Sequence, residues 1–145
     1  MNISEYKKMI DKDNAFIKDE VNIDVASLSV PEMVFKYQQA IYEETMVLEF
    51  MEHEYDILFK RRWTYYLGKA DPQEYKDESF DHKILRGDVQ IFLKADEKLN
   101  LLRAKVKEQQ LKLNLIEAHC KSIMSLSYNV GNAIKWKKFL SGDIG

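Results

Sequence analysis

Residues 29–68 read SVPEMVFKYQQAIYEETMVLEFMEHEYDILFKRRWTYYLG, and this stretch decides the fold. Ser29 followed three residues later by Glu32 is a capping box, in which the hydroxyl takes an early orphan N–H and the carboxylate reaches back. Pro31 is tolerated there because first-turn N–H groups have no intrahelical partner. Beyond it Val34, Tyr37, Ile41, Leu48, Met51, Tyr55 and Leu58 recur at three- and four-residue intervals, with one polar step at Glu44 and Thr45. That is the period of an amphipathic helix. No breaker interrupts it before Gly68, which suits the position just past a helix end. The spacing predicts about 38 helical residues, roughly 57 Å at 1.5 Å per residue. A helix so long needs a partner of similar length to cover its apolar stripe.

The sequence supplies one. Residues 69–87 read as a connector, with Asp71 as N-cap, Pro72 at the first helical position, Glu74 behind it and a second stop at Gly87. Asp88 then caps a second long helix over 88–141, along which Phe92, Ala95, Leu99, Leu102, Val106, Leu113, Ile116, Cys120, Ile123, Val130 and Ile134 keep a heptad spacing. Gln109 and Ser127 are polar exceptions, Gly131 is a candidate kink or break, and Ser141-Gly142 is a terminus. Upstream, Ile3, Tyr6, Met9 and Ile10 define a short helix, and 11–28 read as irregular, so 1–28 form an acidic arm. The expectation is a single all-α domain over 1–145: two long amphipathic helices folded back as an antiparallel hairpin, with short accessory helices. Phe35, Tyr42, Phe50, Phe59, Trp63, Tyr66, Tyr128, Trp136 and Phe139 fall off or beside the two seams. Covering so much aromatic surface calls for further copies of the chain, a homo-oligomer.

Composition agrees. Five glycines and two prolines in 145 residues, with 32% charged, favour long helices over sheets. The net charge of −2 hides a split: 1–59 carry 5 lysines against 13 acidic residues, a net −8, while 60–145 carry 17 basic against 11 acidic residues, a net +6. An acidic end suits protein partners and a basic end anions, although solvated helix surfaces of different bias give the same split. Cys120 is the single cysteine, which excludes an intramolecular disulfide and fits a reducing cytosol. No apolar run approaches the roughly 18 residues of a membrane span, and the N-terminus has no apolar signal core. A cytoplasmic protein without a membrane partner is expected.

No catalytic constellation stands out. His53, His82 and His119 are scattered, and His119 and Cys120, adjacent on a helix, diverge by about 100° and do not converge on a metal. Phosphate loop, dinucleotide fingerprint and nucleophile elbow are missing. The expectation is a non-enzyme with no cofactor and no metal. The informative stretch is Lys60-Arg61-Arg62-Trp63-Thr64-Tyr65-Tyr66-Leu67-Gly68-Lys69. Cations neutralise phosphates, and flat rings stack on any base. The same residues also suit a helix end, where cations complement the dipole and rings join a core. Lys135-Trp136-Lys137-Lys138-Phe139 repeats the pattern near the C-terminus, and the helix-end explanation is stronger there.

The pattern Lys60-x-Arg62-x-x-Tyr65-Tyr66-x-Gly68-Lys69 resembles the signature of the UvsY family, recombination mediators of T-even-type phages. The likeness continues through Phe92-Leu93-Lys94-Ala95-Asp96-Glu97-Lys98-Leu99, Cys120-Lys121 and Ala133-Ile134-Lys135. It covers most of 30–145, is specific mainly at 60–69 and 92–99, and is lost over the connector at 70–91. The resemblance implies a helical protein forming ring-like hexamers or heptamers in the cytoplasm of an infected bacterial host. Its implied partners are single-stranded DNA, single-strand-binding protein and a UvsX-type recombinase. Carried over by position, Lys60 and Arg62 are the main DNA contacts, with Arg61 and Lys69 supporting. Tyr65 and Tyr66, with Trp63, either stack bases or pack. From the chemistry of the C-terminal cluster rather than from the resemblance, Lys135, Lys137 and Lys138 are candidate secondary contacts. Assembly falls to the C-terminal part of the second helix, at Ile116, Cys120, Ile123, Val130, Ile134 and Trp136. A coiled-coil adaptor or assembly chaperone without nucleic acid explains the helices equally well, but does not require the interleaved cations and rings.

Overall fold

The structure, a computed structural model, describes residues 1–17 and 23–142; for 23–27, 126, 127, 129 and 130 it describes the backbone alone. It is all-α: α1 Ile3–Ile17, α2 Ile23–Tyr66, α3 Pro72–Asp77, a 3-10 turn Arg86–Asp88, α4 Val89–Lys94 and α5 Glu97–Leu140. The two long helices run 44 residues each. The chain divides into two compact units, Met1–Thr45 with Leu111–Gly145, and Met46–Gln110.

In the first unit α1 packs on the first half of α2 and the second half of α5. Its core is Tyr6, Ile10 and Ile17 from α1, Val30 and Tyr37 from α2, and Ile116, Cys120 and Ile123 from α5. Each such aliphatic side chain, fully buried, stabilises by about 1.5–3 kcal/mol. Tyr37 stands edge-on to His119, and Lys112 meets Glu44 at 2.9 Å, so the two long helices run antiparallel within this unit.

The N-terminal segment departs from the expected irregular arm. Asn2 and Glu5 form a reciprocal cap, the Glu5 N–H donating to Asn2 Oδ1 at 2.9 Å and the Asn2 N–H to Glu5 Oε2 at 2.7 Å. From there α1 continues to Ile17, past Asp13, which looks like an interruption in sequence. Asp13 lies on the buried face, where its Oδ2 accepts from Lys36 Nζ at 2.6 Å and Tyr37 OH at 2.7 Å. The polar step at Glu44 has the same explanation: Tyr6 OH donates to Glu44 Oε1 at 3.0 Å, and burial with this acceptor pushes the phenol up to about 12. The remainder of the arm, 18–22, lies outside the described residues.

The Ser29 capping box also gives way. The long helix begins at Ile23 and carries Pro31 inside, forgoing the backbone bond that proline cannot donate.

In the second unit Val89 and Leu93 of α4 and Leu99 of α5 form the core, covered by Tyr55, Leu58, Phe59, Trp63, Tyr66, Leu67 and Ile84. The connector helix α3 lies where Asp71-Pro72 places it, although the Asp71 side chain makes no cap bond. The second long helix starts later than expected. Asp88 precedes only the short α4, and the chain breaks at Ala95 and Asp96 before α5. Asp96 is the true cap, its Oδ1 accepting the Leu99 N–H at 2.8 Å. Gly131 interrupts nothing; α5 runs through it and ends at Leu140, with Gly142 just beyond at φ +82°.

Candidate nucleic-acid interface

The cationic stretch closes α2. Gly68 has φ +76°, its N–H donates to the Tyr65 carbonyl at 3.0 Å, and the Lys69 N–H donates to the Thr64 carbonyl at 3.1 Å. This is a Schellman terminus, in which glycine takes the left-handed position that a Cβ disfavours. The turn carries Lys69 back beside the last helical turns. Lys60, Arg61 and Lys69 are exposed and, with Thr64, line one open cleft of about 250 Å³ whose rim also includes Asp71 and Glu74.

Arg62, Tyr65 and Tyr66 point the other way. Arg62 is buried, its Nε 2.6 Å from Asp96 Oδ2, its Nη1 3.0 Å from Glu78 Oε2 and its Nη2 3.2 Å from Glu78 Oε1. The guanidinium carbon lies 4.3 Å from the Tyr65 ring centre and 5.1 Å from that of Tyr66. Burial alone would lower its pKa, but the hydrogen bonds with Glu78, Tyr66 and Asp96 outweigh that and hold the charge more firmly than usual. Tyr65 is buried, stacked on Tyr75 with ring centres 5.2 Å apart, and its hydroxyl donates to the Glu78 carbonyl at 2.9 Å. Tyr66 OH donates to Asp96 Oδ2 at 2.6 Å. Trp63 is half-buried against the α4 core. The sequence leaves open whether these rings stack bases or pack; here Tyr65, Tyr66 and Trp63 pack, and Arg62 organises rather than projects.

Asp96 is thus doubly engaged. Burial works to raise its pKa, but the Tyr66 hydroxyl, the Leu99 N–H and Arg62 together hold it below the ordinary carboxylate range. Glu78 is also lowered, chiefly by its hydrogen bonds with Arg62, which exceed the opposing effect of burial, and then by Lys98. Sequence reasoning assigned no role to Asp96, Glu78 or Lys98. For Asp96 a signal exists, an acid directly before a helical run at the end of Leu93-Lys94-Ala95-Asp96. For Glu78 there is none, because only the fold brings the connector against α2.

The remaining expected residues lie in the first unit. Lys135, Lys137 and Lys138 are exposed on the last turns of α5. Among the assembly residues, Ile116, Cys120 and Ile123 belong to the intramolecular core, so they are not presented to another copy. Burial raises the Cys120 thiol pKa, which keeps it unreactive. Ile134 packs at the edge of that core, and Trp136 is 60% exposed, stacked on Phe139 with ring centres 5.5 Å apart. The Val130 side chain lies outside the described residues. Among the described residues no helix is long and apolar enough to cross a membrane, and no group of three or more metal-ligating side chains converges.

Comparison with known proteins adds to this. Two crystal forms of the bacteriophage T4 recombination mediator protein UvsY share the fold at 15% sequence identity. One superposes with a TM-score of 0.84, covering 97% of this chain and 98% of that one, and the other with 0.82, covering 96% and 99%. No curated protein sequence matches the chain. The family model described as "Recombination, repair and ssDNA binding protein UvsY" matches residues 5–143, nearly the whole length, and the chain therefore belongs to the UvsY family.

Proposed function

We propose that this protein is a recombination mediator that binds single-stranded DNA and promotes exchange of single-strand-binding protein for a UvsX-type recombinase, whose filament it then stabilises. The observation that supports it most is the joint exposure of Lys60, Arg61 and Lys69 around one cleft, beside a helix terminus fixed by Gly68. With the rings of this stretch turned inward, the grip is mainly electrostatic and indifferent to base sequence. In the unliganded chain Arg62, Tyr65 and Tyr66 hold the helix end and the connector in place. Lys135, Lys137 and Lys138 are secondary contacts.

Single patches bind weakly. Several copies in a ring-like hexamer or heptamer multiply them, because a strand held at one patch meets the next at high effective concentration. Exposed Trp136 and Phe139, with Ile134 beside them, are the self-association surface in this reading. The mediator makes and breaks no bond; it favours exchange by binding one state of the DNA better than another. Its place of action is the cytoplasm of an infected bacterium.

Titration of a labelled oligothymidylate at low and moderate salt tests the first step. Salt-sensitive binding is expected, followed by faster recombinase loading on strands coated with single-strand-binding protein. A protein that ignores the oligonucleotide in dilute buffer returns the chain to the class of helical adaptors.

A further inference from the structure

Arg62 is held by two carboxylates of unequal standing. The Asp96 side chain is 1% exposed and both oxygens are committed, Oδ2 to Arg62 and Tyr66, Oδ1 to the Leu99 N–H. Glu78 meets the same guanidinium as a fork, at 3.0 and 3.2 Å, yet its side chain is 46% exposed. Its Oε2 also accepts from Lys98 Nζ at 3.3 Å. The Glu78 backbone is secured separately, the carbonyl by Tyr65 OH at 2.9 Å and the N–H by the Glu74 carbonyl at 2.9 Å. The carboxylate is therefore free to swing out without dislodging the connector.

We propose that the Glu78 carboxylate occupies a phosphate subsite formed by Arg62 and Lys98, and that a phosphodiester of single-stranded DNA displaces it on binding. Carboxylate and phosphate offer a guanidinium the same two-point acceptor, so one substitutes for the other without re-aiming Arg62. Lys98 adds a second cation on the open side. Arg61, already assigned to the exposed patch, also lines this cleft of about 240 Å³, together with Glu74 and Asp77, so Arg61 is the cation shared between it and the Lys60–Lys69 cleft. Exchange of one anion for another keeps Arg62 paired throughout, which avoids the penalty of a half-satisfied buried charge. Asp96 stays in place. The subsite rests on the DNA-binding reading above and adds a threshold to it: an isolated anion gains little over the resident carboxylate, whereas a strand anchored at neighbouring cations competes with it at high local concentration.

Glu78→Gln keeps the shape and removes the charge. Oligothymidylate binding should tighten roughly three- to tenfold in low salt, and the log-log salt slope should steepen by about 0.7, because in the wild type the displaced carboxylate takes up a cation that offsets the counterion released at one phosphate. Asp77→Asn is the control, because Asp77 lines the same cleft but bonds Gln73 rather than Arg62. A general effect of removing negative charge moves both variants alike. Lys98→Ala in the Glu78→Gln background should return most of the gain. If the wild-type chain binds but Glu78→Gln is no tighter and no steeper than Asp77→Asn, the subsite is overturned and the DNA-binding reading stands. If neither the wild type nor Glu78→Gln binds at low salt, both fall.

Discussion

Arg62 Nε lies 2.6 Å from Asp96 Oδ2, a contact that, with the Tyr66 hydroxyl on the same oxygen, ties together the two stretches, 60–69 and 92–99, that carry the family likeness. Both partners are almost fully shielded from water, with side-chain exposures of 7% and 1%. Burying an ion pair costs several kcal/mol of desolvation per ion, and only good geometry with additional hydrogen bonds offsets it. Those bonds are present: Tyr66 and Leu99 complete Asp96, and Glu78 completes Arg62. The signature residues are thus a hub on which the end of α2, the connector and the start of α5 are assembled. An Arg62 variant therefore changes the architecture of this hub, whatever it does to DNA binding.

Removing either member leaves the other buried without its counter-charge. Asp96→Ala or Arg62→Ala should each destabilise the chain by about 3–5 kcal/mol, with the Asp96 change also removing the α5 cap. Chemical denaturation followed by helix signal measures this. Arg62→Lys should recover little, since an ammonium cannot reproduce the fork. A midpoint unchanged in Asp96→Ala would show that the pair contributes nothing to folding.

The exposed cations should behave in the opposite way. Lys60→Ala, Arg61→Ala and Lys69→Ala should leave stability within about 0.5 kcal/mol of the parent. Each should weaken binding to all single-stranded sequences alike and lower the salt slope by about 0.7. Oligonucleotide titrations over a salt series, paired with thermal melts, separate these variants from Arg62→Ala. Unchanged slopes in all three would remove the cleft from the DNA path.

The long helices were legible because their apolar residues keep the helical period over many turns, and Gly68 and Gly142 mark their ends. Errors arose where a polar residue lies on a buried face. Asp13 and Glu44 read as interruptions, yet Lys36, Tyr37, Tyr6 and Lys112 reach them from other segments, and a single sequence does not show such partners. Ala95 keeps the heptad spacing and masks the break, leaving Asp96, an acid directly before a helical run, as its one sequence signal. In the site, residue type singles out ten positions, 60–69, but the direction each side chain takes depends on helix phase and on Glu78 and Asp96. Lys60 and Arg61 face solvent while Arg62, one residue on, faces inward.

Acid should loosen the first unit before the second. His119 is buried, with Nε2 lacking a hydrogen-bond partner among the described residues, and burial lowers its pKa; Asp13 acts in the opposite direction and Lys36 with burial. A base whose folded pKa is depressed loses stability as pH falls from its unfolded value, about 6.5, through the folded one. Asp96 is a depressed acid, so its contribution is intact above about 3.9 and disappears only below that. Hydrogen exchange of α1 and α4 at neutral and mildly acidic pH should show α1 opening first. In His119→Leu that difference should shrink, and an acid response unaffected by this change would assign it elsewhere.

Self-association should depend on Trp136 and Phe139 rather than on the core isoleucines. Trp136 is exposed and stacked on Phe139, whereas Ile116 and Ile123 are fully buried against α1 and α2. Ile123→Asp places a charge in that core and should unfold the first unit, so any loss of assembly in it is secondary. Trp136→Glu with Phe139→Ser alters only the outer surface of α5 and should preserve helix content and the melting transition. Light scattering should then give a smaller particle for the double variant than for the parent, with oligonucleotide affinity reduced because fewer patches act on one strand. A parent that is already monomeric in this measurement removes the ring from the mechanism. A double variant that keeps the parent's mass moves the contact to another exposed apolar residue of the first unit, with Phe35 and Tyr42 on α2 next to be changed.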